Sequence, residues 1–367
     1  MLIDNYNREL DKARAAAENA EPKPTLLVDP KQTNWTRALL KDFERGKRLD
    51  FSEGTIVPAI YRPFSKEWLY FSRRLNEMVY KMSALFPAAE TENLAICVSA
   101  PGHAAGFTAL MTDSIVELCV AAMKGGTQCF PLYIYDDADT GENDLFAGAD
   151  HAARRDGITD AGLRHFQAAY PGQQITREDI FYYTYGLLHS EDYRARYADN
   201  LTKELPRIPC VKKIEDFRAF ANAGRDLADL HVGYETVEPY PVTFKQGHPG
   251  TWVIDDPQAF YRVTKMKFAG KRPNLDRSTV IYNANITIQD IPLEAYDYFV
   301  NGKPALEWVM ERQAELKDNY NPQTKKGSDI VNDANRYAIE TMNNPAYPLE
   351  RCCQTDANQS PFALPVQ

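Results

Sequence analysis

The order of hydrophobic and polar residues along the chain predicts two helices at its start. Residues 5–20 are rich in Ala, Arg, Lys and Glu with a thin apolar stripe, which is typical of an exposed helix. Trp35, Leu39 and Phe43 recur at intervals of four residues, which predicts a second helix over 35–46. We therefore expect a short helical connector before the main body of the chain.

The middle of the chain carries signals for strands. Residues 61–64 predict a turn that leads into an extended aromatic segment at 67–71. Short apolar runs at 94–98 and 128–135 predict buried strands. Apolar and polar residues alternate over 278–288, which is the clearest strand signal in the sequence and indicates one buried face.

Helical periodicity returns between and after these strands. Thr176 followed by Asp179 has the spacing of a capping box at the start of a helix. The helical segments that the pattern predicts are 176–188, 193–205, 217–228, 293–300, 304–312 and 332–342. Because strands and helices occur in blocks without a regular βαβ alternation, we predict an α+β fold with a mixed β-sheet and several packed helices.

Composition places the chain among ordinary globular proteins. It has 367 residues, of which 44% are hydrophobic and 25% are charged, and this length fits one large or two ordinary domains. The sequence contains no run of 18 apolar residues and no signal-peptide core at its start. Its six cysteines form no C-x-x-C pair, so we expect a cytoplasmic protein with reduced thiols.

The charge is unevenly distributed. A net charge of −9 argues mildly against nucleic-acid binding. Residues 37–81, however, contain ten Lys and Arg against six Asp and Glu, and residues 262–277 contain six against one. Residues 136–144 carry five acids and no base. Because phosphate contacts are local, such segregation is compatible with one surface that binds an anionic ligand.

Motifs for self-contained catalysis are missing from the sequence. It has no Walker-type phosphate loop, no H-E-x-x-H, no G-x-S-x-G and no G-x-G-x-x-G. The six histidines are scattered, so we predict no metal site. Residues 136–141 resemble a calcium loop only faintly and favour an acidic surface loop. The Asn-Pro-Ala-Tyr sequence at 344–347 imitates an adenine-methyltransferase motif but lacks a glycine-rich cofactor motif upstream.

Two basic stretches remain as candidate DNA-binding segments. Cations suit phosphate contacts, and Arg and Asn suit base edges, whereas an aromatic core segment with solvated cations is the structural alternative. The candidate residues are Arg62, Lys66, Arg73, Arg74, Asn76, Tyr80 and Lys81 in the first stretch, and Lys265, Lys267, Lys271 and Arg272 in the second.

Several longer motifs occur in order along 33–348. They include Tyr61-Arg62-Pro63-Phe64, Trp68-Leu69-Tyr70-Phe71, Gln128-Cys129-Phe130-Pro131, Thr184-Tyr185-Gly186-Leu187-Leu188-His189, Leu227-Ala228-Asp229-Leu230-His231, Asn301-Gly302-Lys303 and Ile330-Val331-Asn332-Asp333. Together they resemble one known family, the C-terminal specificity portion of Type ISP single-polypeptide restriction–modification enzymes. After residue 350 the sequence departs from the family, whose members continue into an apolar helix, and becomes polar.

The resemblance implies a division into three parts. Residues 1–50 would be a helical connector or the tail of an upstream methyltransferase domain, 51–350 a DNA target-recognition domain, and 351–367 a disordered tail. It also implies that catalysis occurs elsewhere in a longer enzyme, where S-adenosylmethionine, ATP and Mg would bind, and that this chain holds no cofactor. Its implied partners are double-stranded DNA and the methyltransferase and coupler modules.

Two other functions stay open at the level of sequence. The chain could be a degenerate adenine-N6 methyltransferase that uses residues 344–347, or an interaction fragment that docks on other modules without contacting DNA. The resemblance identifies no base-reading residue, because target specificity differs between family members. The candidate DNA-binding residues are therefore chosen on their chemistry alone.

Overall fold

The computed structural model describes residues 2–19, 26, 33, 35–51, 56–72, 74–76, 78–135, 154–237 and 240–312 of the chain. The features predicted elsewhere are outside the described residues: the helix over 332–342, the acidic loop 136–141, the sequence at 344–347, the tail 351–367 and Arg73. Within the described residues helices combine with several small sheets, so the α+β class is confirmed. No helix in those ranges is long and apolar enough to cross a membrane.

The two helices at the start of the chain pack against each other through aromatic rings. Helix α1 spans Leu2–Glu18 and α2 spans Arg37–Glu44, so both predicted helices are confirmed, the first with bounds shifted towards the N-terminus and the second with shorter bounds. Tyr6 contacts Phe43 edge to face with ring centroids 6.0 Å apart, and Leu39 is buried beside them. These helices therefore have a small hydrophobic core of their own.

Two three-stranded sheets follow in the chain. Their strands are β1 (Ile56–Arg62), β2 (Ser65–Tyr70), β3 (Ala95–Ser99), β4 (Ala109–Thr112), β5 (Ile115–Val116) and β6 (Thr127–Pro131), with the short helix α3 (Met82–Leu85) between β2 and β3. In the first sheet β1 pairs antiparallel with β2 and parallel with β5. In the second, β3 lies between β4 and β6 and pairs antiparallel with both. The predicted turn and the first two predicted strands are confirmed.

A hairpin and a helical layer come next. The predicted strand at 128–135 is divided into β6 and β7 (Tyr133–Tyr135), and β7 pairs with β8 (Arg154–Asp156). The helices are α4 (Asp160–Ala169), α5 (Arg177–His189), α6 (Glu191–Arg196), α7 (Ala198–Leu201) and α8 (Ile214–Val232). The predicted capping box is present, because the Thr176 hydroxyl accepts from the Asp179 N–H and the Asp179 carboxylate accepts from the Thr176 N–H.

The longest helices of this layer, α5 and α8, touch through two glycines. A Cβ atom on Gly224 would lie 2.0 Å from the backbone oxygen of Tyr182, and one on Gly186 would lie 2.3 Å from that of Phe220. Real Cβ atoms do not approach backbone this closely, so both positions require glycine for packing. The two helices thereby bury a continuous aromatic core that includes Tyr183.

The last part of the described chain forms a four-stranded sheet, a small hairpin and a helix. Its elements are β9 (Thr243–Phe244), α9 (Pro257–Tyr261), β10 (Lys267–Lys271), β11 (Asn274–Ile281), β12 (Thr287–Gln289), β13 (Phe299–Val300), β14 (Lys303–Pro304) and α10 (Ala305–Arg312). The sheet order is β10-β11-β12-β9, with antiparallel pairing throughout. Helix α10 confirms the prediction for 304–312.

Two predictions for this part are wrong in detail. The strand at 278–288 is interrupted, because the Asn283 side chain accepts hydrogen bonds from the N–H groups of Asn285 and Ile286, each at 2.8 Å, and turns the chain. The helix at 293–300 is a single 3-10 turn over Leu293–Tyr296 followed by β13.

The second error has a local cause in the sequence. Asn301 and Gly302 connect β13 to β14 with φ angles of 50° and 75°, the left-handed backbone of a two-residue hairpin turn. The Asn301 amide donates to the backbone oxygens of Cys119 (3.0 Å) and Val120 (3.3 Å). This turn therefore ties the end of the described chain to the first sheets.

One hydrophobic core joins the beginning and the end of the structure. It contains Ile60 and Phe64 from around the β1–β2 turn, Cys97 from β3, Val280 from β11 and Trp308 from α10. Every one of these side chains is buried. The four-stranded sheet is thus fixed to the earlier sheets by shared burial.

Replacing Gly224 with Ala should destabilise the protein by about 1–3 kcal/mol, because the added methyl group forces α5 and α8 apart. Urea unfolding of both proteins measures the difference. The matched control is Gly162→Ala in α4, where the new Cβ makes only ordinary 3.5 Å contacts and helix propensity favours Ala by up to about 1 kcal/mol. Equal stability of Gly224→Ala and the parent protein would contradict the close contact.

Acidification should also destabilise the protein through buried histidines. Burial, aided by the charge of Arg194, lowers the pKa of His231 to about 3, and its Nδ1 pairs with the buried Tyr185 hydroxyl. The unfolded chain protonates His231 below its ordinary pKa near 6.5, whereas the folded protein does not, so stability is lost as the pH falls. From pH 7.5 to 5.5 this residue should cost about 1.4 kcal/mol in free energy of unfolding.

Urea unfolding of the His231→Asn variant at both pH values tests this expectation. Asparagine keeps a polar group near Nδ1 but does not titrate, so the loss between pH 7.5 and 5.5 should shrink by about 1.4 kcal/mol. The parent protein, measured in parallel at the same two pH values, supplies the reference. An unchanged pH dependence in His231→Asn would show that the folded protein accepts the proton.

Candidate nucleic-acid interface

The two basic stretches differ in the contacts that their cations make in the structure. The first stretch runs from the end of β1 through β2 to the start of α3, and the second from before β10 into the turn that follows it. Among the described candidates, three cations of the first stretch are paired with carboxylates, whereas those of the second are exposed.

Arg62 serves the packing of the first sheet. Its Nη1 lies 2.5 Å from Oε2 of Glu117, its side chain is 11% exposed, and its guanidinium stacks over the Tyr61 ring at 4.2 Å. Oε2 of Glu117 also accepts from the N–H of Cys119 at 2.7 Å. The guanidinium is therefore held between β1 and the chain after β5, pointing away from solvent.

Lys66 and Arg74 make similar structural contacts. Nζ of Lys66 donates to the backbone oxygen of Val232 at 3.2 Å and lies 3.6 Å from the Glu235 carboxylate, so it connects β2 to the end of α8. Nε of Arg74 lies 2.8 Å from the Asp42 carboxylate in α2, and both side chains are 16% exposed. These two cations hold neighbouring elements together.

The remaining members of the first stretch differ from each other. The Asn76 side-chain oxygen accepts from the N–H of Ser72 at 2.7 Å and closes a loop after β2. Tyr80 is 63% exposed in a left-handed backbone conformation with φ of 49°, and Lys81 is exposed beside it at the start of α3. Of the described candidate residues in this stretch, Tyr80 and Lys81 are the exposed ones.

The second stretch forms a hairpin that projects from the sheet. The side chains of Lys265, Lys267, Lys271 and Arg272 are exposed, and no carboxylate in the described ranges forms an ion pair with them. All residues from 271 to 277 are exposed, in the turn and on both strands. The hairpin β10–β11 therefore presents Lys267, Lys271 and Arg272 to solvent, and Lys265 lies just before it.

The base of this hairpin is fixed in place. The Arg277 guanidinium lies over the rings of Phe268 (5.6 Å) and Tyr296 (5.4 Å) and 3.4 Å from the Glu307 carboxylate of α10. The Tyr296 hydroxyl in turn donates to the backbone oxygen of Arg277 at 2.8 Å. These aromatic and ionic contacts fix the base of the hairpin. The tip of the hairpin, residues 271–274 with the cations Lys271 and Arg272, extends from this fixed base.

One acid lies on the hairpin, but its carboxylate is directed along its own strand. Oδ1 of Asp276 accepts from the N–H of Ser278 at 3.0 Å and also from its hydroxyl. Hydrogen bonds from the Ser278 and Thr279 side chains lower the pKa of Asp276. Asp276 lies next to an irregularity in β11, because the ladder passes from the Phe268–Val280 pair to the Ala269–Asp276 pair and leaves 277–279 without partners on β10. Its carboxylate forms no ion pair with the hairpin cations, nor does any other carboxylate among the described residues.

Sequence reasoning missed the partners that distinguish the two stretches. Glu117 lies 55 residues from Arg62 and Asp42 lies 32 residues from Arg74, so no local pattern links them. The candidate residues also did not include Asn274, which follows the hairpin turn. The neighbouring cations Lys271 and Arg272 were the signal that could have identified it. Within the described part of the chain, no group of three or more His, Cys, Asp or Glu side chains is placed to hold a metal ion.

The chain matches one protein family and several solved structures. Residues 1–351 match the model of the Type ISP C-terminal specificity domain. A nuclease-deletion mutant of the Type ISP restriction–modification enzyme LlaGI, in complex with a DNA substrate mimic, shares 32% identity at a TM-score of 0.74. The ATP-dependent Type ISP enzyme LlaBIII bound to DNA shares 31% at 0.73, and a DrdV–DNA complex solved by cryoEM shares 30% at 0.76. No protein of curated function matches the chain.

The similarity covers nearly the whole of this chain but a minor part of each relative. It extends over 100%, 97% and 97% of the chain and over 30%, 20% and 32% of LlaGI, LlaBIII and DrdV, respectively. The chain thus spans a third or less of the length of these enzymes. The ordered motifs, the family match over residues 1–351 and the shared fold agree, and the chain belongs to the Type ISP C-terminal specificity domain family.

Proposed function

We propose that this chain recognises a specific sequence in double-stranded DNA as the specificity part of a Type ISP restriction–modification enzyme. The observation that carries the proposal is the projecting hairpin β10–β11, whose exposed cations form no ion pair with any carboxylate in the described ranges. The family match supports it, as do the DNA complexes in which relatives such as LlaBIII and DrdV were solved. In this proposal the hairpin contacts DNA, and modules outside the chain carry out adenine-N6 methylation and cleavage.

Electrostatics favour the hairpin over the first basic stretch as the main DNA contact. A phosphate that approached Arg62 or Arg74 would meet a cation whose charge is already compensated by a carboxylate. Breaking such a partly buried pair leaves one charge without its partner, which opposes binding. The exposed cations of the hairpin can neutralise phosphates, and so displace counterions from the DNA, without this cost. Lys81 and Tyr80 are the residues of the first stretch that would join the interface.

The overall charge sets the strength of binding that we expect. With a net charge of −9 the chain as a whole repels DNA, so a few local cations must act against this background. We infer weak, salt-sensitive binding by the chain alone. The methyltransferase and coupler modules of the complete enzyme would supply further phosphate contacts, and S-adenosylmethionine, ATP and Mg would bind in those modules.

Charge reversal on the hairpin tests the proposal. In 50 mM salt, Lys267→Glu and Lys271→Glu should each weaken duplex binding on the order of tenfold, since a phosphate contact contributes through counterion release. The slope of log affinity against log salt should decrease by about 1 for each lost contact. A band-shift or fluorescence titration over several salt concentrations measures both quantities.

Lys212→Glu is the matched control, because Lys212 is exposed on the segment before α8 and undergoes the same change of charge. It should retain the affinity and salt slope of the parent, apart from the small effect of net charge. If all three variants bind DNA equally well, the hairpin does not contact DNA. If the parent chain binds no DNA but does bind a methyltransferase module, it is an interaction fragment.

A further inference from the structure

The end of the hairpin carries polar side chains that phosphate binding alone does not require. Residues 271–274 read Lys-Arg-Pro-Asn, with Lys271 and Asn274 paired across the last rung of the ladder. We propose that Arg272 and Asn274 determine part of the recognised sequence by contacting base edges in the major groove. This inference rests on the proposed function and adds to it the residues that read the target.

The length of the hairpin fits the depth of the major groove. Beyond Phe268 and Val280, which pack in the core, three rungs extend outward and end at Lys271 and Asn274. At about 3.3 Å per residue these rungs reach about 10 Å from the core. The major groove of B-DNA is about 8.5 Å deep and about 12 Å wide and admits a two-stranded ribbon, whereas the minor groove is about half as wide.

The chemistry of the two side chains suits base edges. An arginine guanidinium donates two parallel hydrogen bonds to O6 and N7 of guanine, and an asparagine amide both donates and accepts at N6 and N7 of adenine. Lys271 offers a point charge with donors only, which suits a phosphate. Leu275 is on the opposite face of the ladder from Asn274 and has no polar group, so it provides an internal comparison.

The tip is also held in a defined geometry. A Cβ atom on Gly270, whose φ is 80°, would lie 2.5 Å from the backbone oxygen of Asn274, so the two strands close tightly at this point. At the other end of the hairpin, the Arg277 guanidinium packs over the rings of Phe268 and Tyr296. Base reading needs groups placed to within a fraction of an ångström, and a ribbon fixed at its base meets this need.

Near-isosteric variants of the full chain test the inference without disturbing the fold. Asn274→Asp replaces a group that donates and accepts with one that only accepts, and Arg272→Lys keeps the charge but removes the paired donors. Each variant and the parent are used to select duplexes from a library with a randomised central segment, and the bound fractions are sequenced. Titrations with the enriched duplex and with an unrelated duplex then give the affinities and salt slopes.

We expect the parent to enrich a motif and each variant to change its preference at one or two positions. Asn274→Asp should lose a preference for adenine and accept cytosine, whose N4 donates to a carboxylate. Arg272→Lys should lose discrimination at a guanine by about 5- to 150-fold, which corresponds to the usual strength of a bidentate contact. Its affinity for unrelated DNA and its salt slope should stay at the parent values.

Leu275→Ala serves as the control. It should enrich the same motif as the parent and bind each duplex with the affinity of the parent. Enrichment of the parent motif by both Asn274→Asp and Arg272→Lys, with equal discrimination at every position, would overturn the inference and leave the proposed function intact. A parent chain that binds DNA in 50 mM salt without enriching any motif would overturn both the inference and sequence-specific recognition by this chain. Absence of any DNA binding by the parent would overturn the proposed function as well.

Discussion

Burial of Val280 is the constraint that determines where the hairpin β10–β11, the proposed DNA contact, can lie. Val280 has no exposed surface and shares a core with Ile60, Phe64 and Cys97 from the first sheets. The same strand, β11, is exposed over its first four residues from Asn274 onward. Because one end of the strand is fixed in the core of the molecule, the other end projects at a set angle and distance. A reading element is rigid when its own strand is part of the core.

The contrast between paired and unpaired cations shows why the number of basic residues is a poor guide to a nucleic-acid interface. Arg74 and Asp42 are equally buried, and their ion pair joins a loop to α2, so the charge of Arg74 is used within the fold. Lys267 and Arg272 lie on a projecting element and are exposed. A cation contributes to DNA binding mainly by neutralising a phosphate and so displacing counterions condensed on the DNA. A cation that is already paired with a carboxylate does not contribute in this way.

Local sequence signals predicted those parts of the fold that local interactions determine. The capping box at Thr176 and the apolar stripe of α8 were sufficient for α5 and α8, and the alternation over 278–288 located the end of β11 and the start of β12. The α5–α8 contact was not predictable, because the need for Gly224 comes from Tyr182 on another helix. The turn at Asn301-Gly302 was predictable from a known hairpin dipeptide, but the apolar periodicity around it suggested a helix. The ion pairs of Arg62 and Arg74 connect residues far apart in sequence, so composition could not separate these cations from those of the hairpin.

A chain with a net charge of −9 can still be a specific reader, because affinity and discrimination come from different contacts. Phosphate contacts scale with the number of free cations, which the hairpin provides only in small number, and the rest of a longer enzyme can add more. Base contacts depend on a few correctly placed groups. Each such group lowers the free energy of binding to the correct base, relative to a wrong base, by about 1–3 kcal/mol, whatever the total charge of the chain. A projecting hairpin with its base fixed by Arg277 and its tip formed by Lys271, Arg272 and Asn274 is suited to this second task. The net negative charge of the chain has a consequence here, since it disfavours contacts of the duplex away from such local cations and favours the proposed contact at the hairpin.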